Sequence, residues 1–297
     1  MKSMIPFILS MIIFGTIGFV VRYIDLTASE RAFLSSSIGC LFLLLIFKLM
    51  KKRMAWNVIK KNLIFLFFSS VALAGNWVFL YGSYDYTTIA NATLGYYFAP
   101  VFVMILSPFI LKEPLMKKKM ICIIIAVMGL LLIVSEGIRA THISDVIGLG
   151  FGLTAAIFYA ALLLLNPFIK GLDKLACTII QLGFTAALLM PYVFVTEGFG
   201  IFSVSASSLP YIFILGIVNT GLGFWLFFVG MKNLSGQSIA MLSYVDPFVA
   251  IFISAIILQE NMTMIQLLGG ILLLGSTLLS ELQLKYFGIQ RVKRDPK

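Results

Sequence analysis

The chain has 297 residues, of which 61% are hydrophobic and only 11% charged, so it is too apolar for a water-soluble domain, where roughly 25% would be charged. Its net charge of +10 could suggest nucleic acid, but the cations are scattered over separate segments with no common motif, which argues against that partner. One histidine, His142, and three dispersed cysteines leave no basis for a metal centre, a Ser-His dyad or a disulfide framework, and no cofactor is implied.

A spanning helix needs about 20 apolar residues. In chain order the candidate stretches are 4–23, 32–49, 62–84, 87–111, 118–135, 145–166, 175–196, 208–230, 233–258 and 262–284, two of them short. The first carries one lysine ahead of it and no small-residue cleavage site, so it reads as a retained helix rather than a leader. With the N-terminus inside, all but three of the 22 Lys and Arg residues fall on inside segments. Lys51, Lys52 and Arg53, then Lys117, Lys118 and Lys119, then the tail from Lys285 to Lys297, are the main clusters. Only Arg22, Arg31 and Arg139 lie outside. This positive-inside bias puts both termini in the cytoplasm, and the same cations can touch anionic lipid. Cys40, Cys122 and Cys177 fall within the apolar stretches and read as small packing residues.

One stretch occurs twice. Tyr97-Phe98-Ala99-Pro100-Val101-Phe102 returns 147 residues later as Tyr244-Val245-Asp246-Pro247-Phe248-Val249. The same offset carries Ser107 onto Ser254, Leu111 onto Leu258 and Glu113 onto Glu260, without a gap. The predicted fold is therefore an all-α integral membrane protein of ten transmembrane helices in two five-helix repeats. The repeats are residues 1–140 and 141–297, the second with a short basic tail, and they meet near 136–144. Five is odd, so the second copy enters the membrane in the opposite direction. Inverted repeats broken at matching prolines, here Pro100 and Pro247, are the sequence pointer to a transporter site between the halves.

Asp246 is the sharpest candidate. It falls about halfway along a predicted helix of roughly 26 residues, near the bilayer midplane. An acid there is expensive and should face the bundle interior or a wet cavity, where it can bind a cation or carry a proton. Pro247 removes a backbone hydrogen bond and frees a carbonyl near Ser243, which shares a helix face with Asp246. The repeat partner of Asp246 is Ala99, so the site is asymmetric. Asn76 and Asn219 lie near the middle of the third and eighth stretches, as interhelical glue or as solute contacts. Trp77, Tyr96, Tyr97, Tyr159, Trp225 and Tyr244 offer aromatic surface at mid-depth. Tyr97 and Tyr244 stand out because both precede the repeated prolines by three residues. A lone acid among aromatics suits an ammonium group. Glu30 and Arg31 at the head of the second stretch read as a cap and a local ion pair. Gly148 and Gly152 read as close helix packing rather than a phosphate loop.

The repeated Tyr, Pro, Ser, Leu and Glu positions, in a ten-helix chain of this length, resemble the EamA-type members of the drug/metabolite transporter superfamily. Phe14-Gly15, where that family often has Trp-Gly, Arg31 and the acid before the second proline are further points of likeness. The resemblance implies a secondary transporter in the cytoplasmic membrane, with a central cavity lined mainly by the third, fourth, eighth and ninth helices. The fifth and tenth would lie at the periphery. The expected activity is alternating-access movement, most simply export, of a small amino-bearing metabolite, with protons as a candidate coupling ion at Asp246. Substrate contacts are expected from Asn76, Trp77, Tyr96, Tyr97, Tyr159, Asn219, Ser243, Tyr244 and Asp246. Import of a quaternary ammonium solute such as choline, or a passive channel, are the alternatives. Two repeats complete a pathway without a partner, so the expected form is a monomer or a homodimer.

Overall fold

The computed structural model describes residues 4–112, 117–139, 143–198, 200, 204–231, 234, 239 and 242–286. The elements are helices joined by short turns, and no strand occurs among the described residues. The first apolar rod is α1 (Met4–Gly15) and α2 (Ile17–Arg22), interrupted at Thr16. Then come α3 (Ala28–Leu49), a short surface helix α4 (Trp56–Lys61), α5 (Leu63–Tyr86), and a second interrupted rod made of α6 (Ile89–Tyr96) and α7 (Ala99–Ile110). After these follow α8 (Lys117–Arg139), α9 (Ile143–Leu165), α10 (Lys174–Thr196), α11 (Leu209–Met231), α12 (Val245–Ile257) and α13 (Met264–Tyr286). Within α11 the stretch Ile214–Leu222 is wound as a wider π-helix, and so is Ile253–Ile257 at the end of α12.

Among the described residues, seven helical segments are long and apolar enough to cross a membrane, and three shorter apolar ones (Met120–Ser135, Val245–Ile257 and Met264–Ser276) accompany them. Their outer faces carry large exposed apolar side chains, such as Leu41, Phe109 and Val195. Hydrocarbon can cover these faces, and the helices satisfy their own backbone groups, as a bilayer requires. Inward, α5 packs on α9, α3 on α10 and α11, α1 on α11 and α12, and α6 and α7 on α9. One apolar core gathers Leu43, Leu73, Trp77, Tyr81, Leu182 and Leu215. A second gathers Leu94, Phe98, Val101, Ala126 and Leu273.

Several expected boundaries move. The second helix starts at Ala28 rather than 32, because Thr27 and Glu30 form a reciprocal capping box. Arg31 does not pair locally with Glu30 but reaches α5, where its guanidinium meets Asp85 at 2.8 Å. The junction expected over 136–144 is narrower, since α8 runs on to Arg139 and α9 begins at Ile143. The ninth stretch, expected over 233–258, is helical at Leu242 and Ser243, turns at Tyr244 and resumes as α12 from Val245, while most of 232–241 lies outside the described residues, as does Glu113. Gly148 and Gly152 are packing glycines: a Cβ on either would stand 2.6 Å from the Thr87 side chain or 2.9 Å from the Ala92 carbonyl. The three cysteines are free.

α8 and α13 pair with each other at the edge of the bundle. Gly129 and Gly269 make that contact close, for a Cβ on either would lie 2.6 Å from the other's carbonyl oxygen. Backbone cannot yield as a side chain can. Gly129→Ala should therefore cost about 1–3 kcal/mol through overpacking. It should lower the thermal midpoint in detergent, whereas Gly150→Ala, with nothing near its Cβ, should not. An equal shift in both would show that the α8–α13 contact is not tight.

Polar groups at the helix ends are tied across the bundle. Lys52 meets Asp173 at 2.8 Å. Partial burial pushes the Asp173 carboxyl up, but the Lys52 ammonium and the N–H groups of Ala176 and Leu175 outweigh it and hold it below the usual carboxylate range. In mid-bundle, Gln181 donates to Ser69 and to Asn166, each at 2.8 Å. Two residues that end apolar helices, Lys112 (φ 56°) and Gln259 (φ 53°), take the left-handed conformation that side chains usually avoid. They are separated by the repeat offset of 147.

Candidate functional site

The interrupted rods build the site. α6 stops at Tyr96, a turn follows at Tyr97, and α7 resumes at Ala99 with Pro100 in its first turn. Proline is at ease there, because the first turn's N–H groups have no partner inside the helix. Tyr244 likewise sits just before α12, and Pro247 occupies that helix's first turn. The prolines thus begin helical segments rather than kink continuous ones. Asp246 lies just after the turn at Tyr244, in the first turn of α12, where the positive end of the helix dipole favours a carboxylate. Its side chain accepts a short hydrogen bond from the Tyr97 hydroxyl, so the two repeated segments meet through their most distinctive residues. Among the described residues, the ion pairs present do not involve Asp246.

Two chambers open on either side of this contact. The smaller, about 160 Å³, is lined by Asn76, Trp77, Leu80, Tyr81, Tyr84, Thr93, Asn219 and Thr220 among others. The larger, about 410 Å³, is lined by Met11, Pro100, Leu163, Phe227, Ser243 and Tyr244 among others. Its size falls within the range of about 300–1,000 Å³ usual for small-molecule sites. Phe14, Tyr96, Tyr97, Tyr159, Phe224 and Asp246 line both, forming the neck between them. The neck is aromatic: the rings of Tyr96 lie 5.6 Å from Tyr97 and 5.3 Å from Tyr159, and Phe14 meets Phe224 edge-on at 5.4 Å.

All nine side chains expected to contact substrate line one chamber or the other, and Pro100 joins them. Asn76 and Asn219 are both lining residues and glue. The amide of Asn76 donates to the Ala155 carbonyl at 2.9 Å, and that of Asn219 donates to the Ile13 carbonyl at 2.7 Å and to Thr16 at 2.9 Å. The break at Thr16 is therefore where α11 grips the first rod. Beside it, a Cβ on Gly15 would stand 2.7 Å from the Asp246 carbonyl, so only glycine lets α12 come this close. Pro247 and Trp225 line neither chamber. Phe224 does so in place of Trp225, one residue and about 100° of helix away. Thr93, Tyr81 and Tyr84 went unnoticed in the sequence. Thr93 lies one turn before Tyr97, and the two tyrosines follow Trp77 at helical spacing, so a face-by-face reading would have found them.

Glu260 closes the end of α12. It forms an ion pair with Arg22 at the end of α2, accepts a short hydrogen bond from Ser254, and accepts from the Ile89 N–H at the start of α6 at 3.0 Å. Arg22 also donates to the Thr87 carbonyl at 3.1 Å. The serine and glutamate of the repeated pattern thus belong to one polar clasp in the second copy.

The profile of the EamA-like transporter family matches residues 1–135 and again residues 146–282. The chain belongs to that family. It is similar to the uncharacterized transporter YxxF of Bacillus subtilis (strain 168), at 29% identity over 94% of this chain and 89% of the relative. It is also similar to the uncharacterized transporter sll1164 of Synechocystis sp., at 31% identity over 68% of this chain and 60% of the relative. A solved crystal structure shares the fold with a TM-score of 0.63 at 17% identity, covering 95% of this chain and 97% of its own. This EamA-like protein is accordingly a multi-pass protein of the cell membrane that handles a small-molecule substrate and sits in lipid.

Proposed function

We propose that this EamA-like protein is a secondary transporter of a small amino-bearing solute, working by alternating access between two inverted five-helix repeats. The observation that carries this reading is the neck at Asp246. A single acid, ringed by aromatic faces, stands between two chambers and is held by a tyrosine of the other half. An ammonium group finds there a carboxylate and the π-faces that favour cations. With both termini cytoplasmic, the smaller chamber lies on the external side of Asp246 and the larger on the cytoplasmic side. Export from a cytoplasmic vestibule fits that asymmetry. The double family match and the paired left-handed residues Lys112 and Gln259 support the repeat. Asp246 is the proposed binding site for the ammonium and for a coupling proton, which would compete there. Rocking of the halves would part Tyr97 from Asp246 and exchange the open side. No cofactor enters this mechanism, and a monomer suffices for it.

The test is solute flux in proteoliposomes, with and without an imposed pH gradient, over a panel of amines, amino acids, quaternary ammonium ions and sugars. Saturable, gradient-driven flux of an amine supports the reading. Unsaturable flux without counterflow would indicate a channel instead, and transport of sugars alone would remove the ammonium assignment.

A further inference from the structure

We infer that the solute is an amine that lacks a free carboxylate and carries a second hydrogen-bond donor, so that amines are chosen over the amino acids that share their skeleton. This rests on the transport reading above and narrows its substrate class. The charge inventory comes first. Among the described residues lining the two chambers, Asp246 is the only charged one, and no lysine, arginine or histidine is present. Arg22 and Arg31 are engaged elsewhere, with Glu260 and Asp85. A zwitterionic amino acid would bring its carboxylate into the same space as Asp246 without a cation to meet it. Such a charge is costly to bury and is repelled by its like.

The donors come second. A carboxylate without a cation has only neutral donors to turn to: hydroxyls such as that of Thr93 line the smaller chamber, but they supply hydrogen bonds and no counter-charge, and the amides direct N–H groups to the backbone. Asn76 spends a donor on Ala155, Asn219 spends donors on Ile13 and Thr16, and the Tyr97 hydroxyl is given to Asp246. The orientation of Asn219 is fixed by chemistry, because the Ile13 carbonyl can only accept, so the amide nitrogen must face it. Its oxygen is left buried, in a side chain only 1% exposed, and without a hydrogen-bond partner. A buried acceptor in that condition is unfavourable until a donor fills it. Among the described residues, Asp246 is thus left without a positive charge, and the Asn219 oxygen and the Thr93 hydroxyl, both from residues of the smaller chamber's wall, without a hydrogen-bond partner; an N–H or O–H donor suits the Asn219 oxygen. Diamines, amino alcohols and guanidinium-bearing amines supply both the charge and the donor.

The experiment uses purified wild-type protein in proteoliposomes and pairs that differ only by a carboxylate: putrescine with ornithine, agmatine with arginine, tyramine with tyrosine. Butylamine, which has the ammonium but no second donor, completes the putrescine series. The expected result is a kcat/KM for the amine about tenfold or more above that of its amino acid. Putrescine should also exceed butylamine, and Asn219→Ala should shrink that ratio. Amino acids moving as fast as their amines, or faster, would overturn the inference while leaving amine transport standing. Equal handling of putrescine and butylamine by the wild type would remove the role of Asn219. Absence of flux for every member, with the protein monodisperse, would overturn the inference together with the transport reading beneath it. The wild-type ratios decide the matter even if Asn219→Ala fails to fold.

Discussion

Asp246→Asn is expected to abolish gradient-driven accumulation of the proposed amine substrate while leaving the protein folded. Asparagine keeps the size of the side chain and still accepts from the Tyr97 hydroxyl, so the neck should hold its shape. What it loses is the charge. Removing one partner of a buried, hydrogen-bonded charge pair costs about 2–5 kcal/mol, or roughly 30-fold or more in affinity. Because amide nitrogen cannot exchange a proton in this role, any residual flux should also ignore a pH gradient. The measurement is substrate affinity and pH-driven uptake in proteoliposomes, alongside size-exclusion elution. Accumulation at the wild-type level would show that neither substrate nor proton uses this acid. Weakened binding with intact coupling would move the proton site elsewhere.

The second large effect should come from Glu260→Ala, and it should appear in stability. That carboxylate serves Arg22, Ser254 and the first turn of α6 at once, with its side chain only 8% exposed. Its removal leaves an arginine without its counter-ion and the Ile89 N–H without its acceptor, although Thr88 still caps α6 through the Asn91 N–H. Arg22 is about one-third exposed, so water offsets part of the loss. A destabilisation of about 2–4 kcal/mol is expected. It should be visible as a lower thermal midpoint in detergent and as protease cleavage at the α2, α6 and α12 ends. Glu260→Gln should fall between, since it keeps an acceptor but not the charge. A midpoint unchanged in both would mean that the clasp contributes nothing to the folded state. The clasp ties the ends of α2 and α6, from the first half, to α12 of the second. Any motion that separates the halves at this end must therefore break it, and flux should respond to the variant as well as stability.

Much of this was legible in the chain. Low charge and long apolar stretches dictated a membrane protein, because only closed helices satisfy their backbone in hydrocarbon. The 147-residue echo around Pro100 and Pro247 pointed to the segments that meet at the site. Asp246 stood out because an intramembrane acid is too costly to be incidental. Local turn chemistry then shifted boundaries that hydropathy alone could not place, as the Thr27 and Glu30 capping box did for α3.

Contacts between distant segments were a different matter. Nothing in the spacing of Tyr97 and Asp246 says that they touch, or that Arg22 chooses Glu260 and Arg31 chooses Asp85. Such pairs depend on how the helices rotate and how near they come. That is set by packing over whole helix faces, such as the approach of α12 that Gly15 permits. The same packing turned Asn219's donors toward the first rod and left its oxygen buried without a hydrogen-bond partner. Composition and periodicity therefore determined which residues are buried in the membrane, since each residue's transfer energy is largely its own. Only the tertiary structure decided which buried polar groups are already partnered and which are not, because a hydrogen bond is a property of two residues and their geometry.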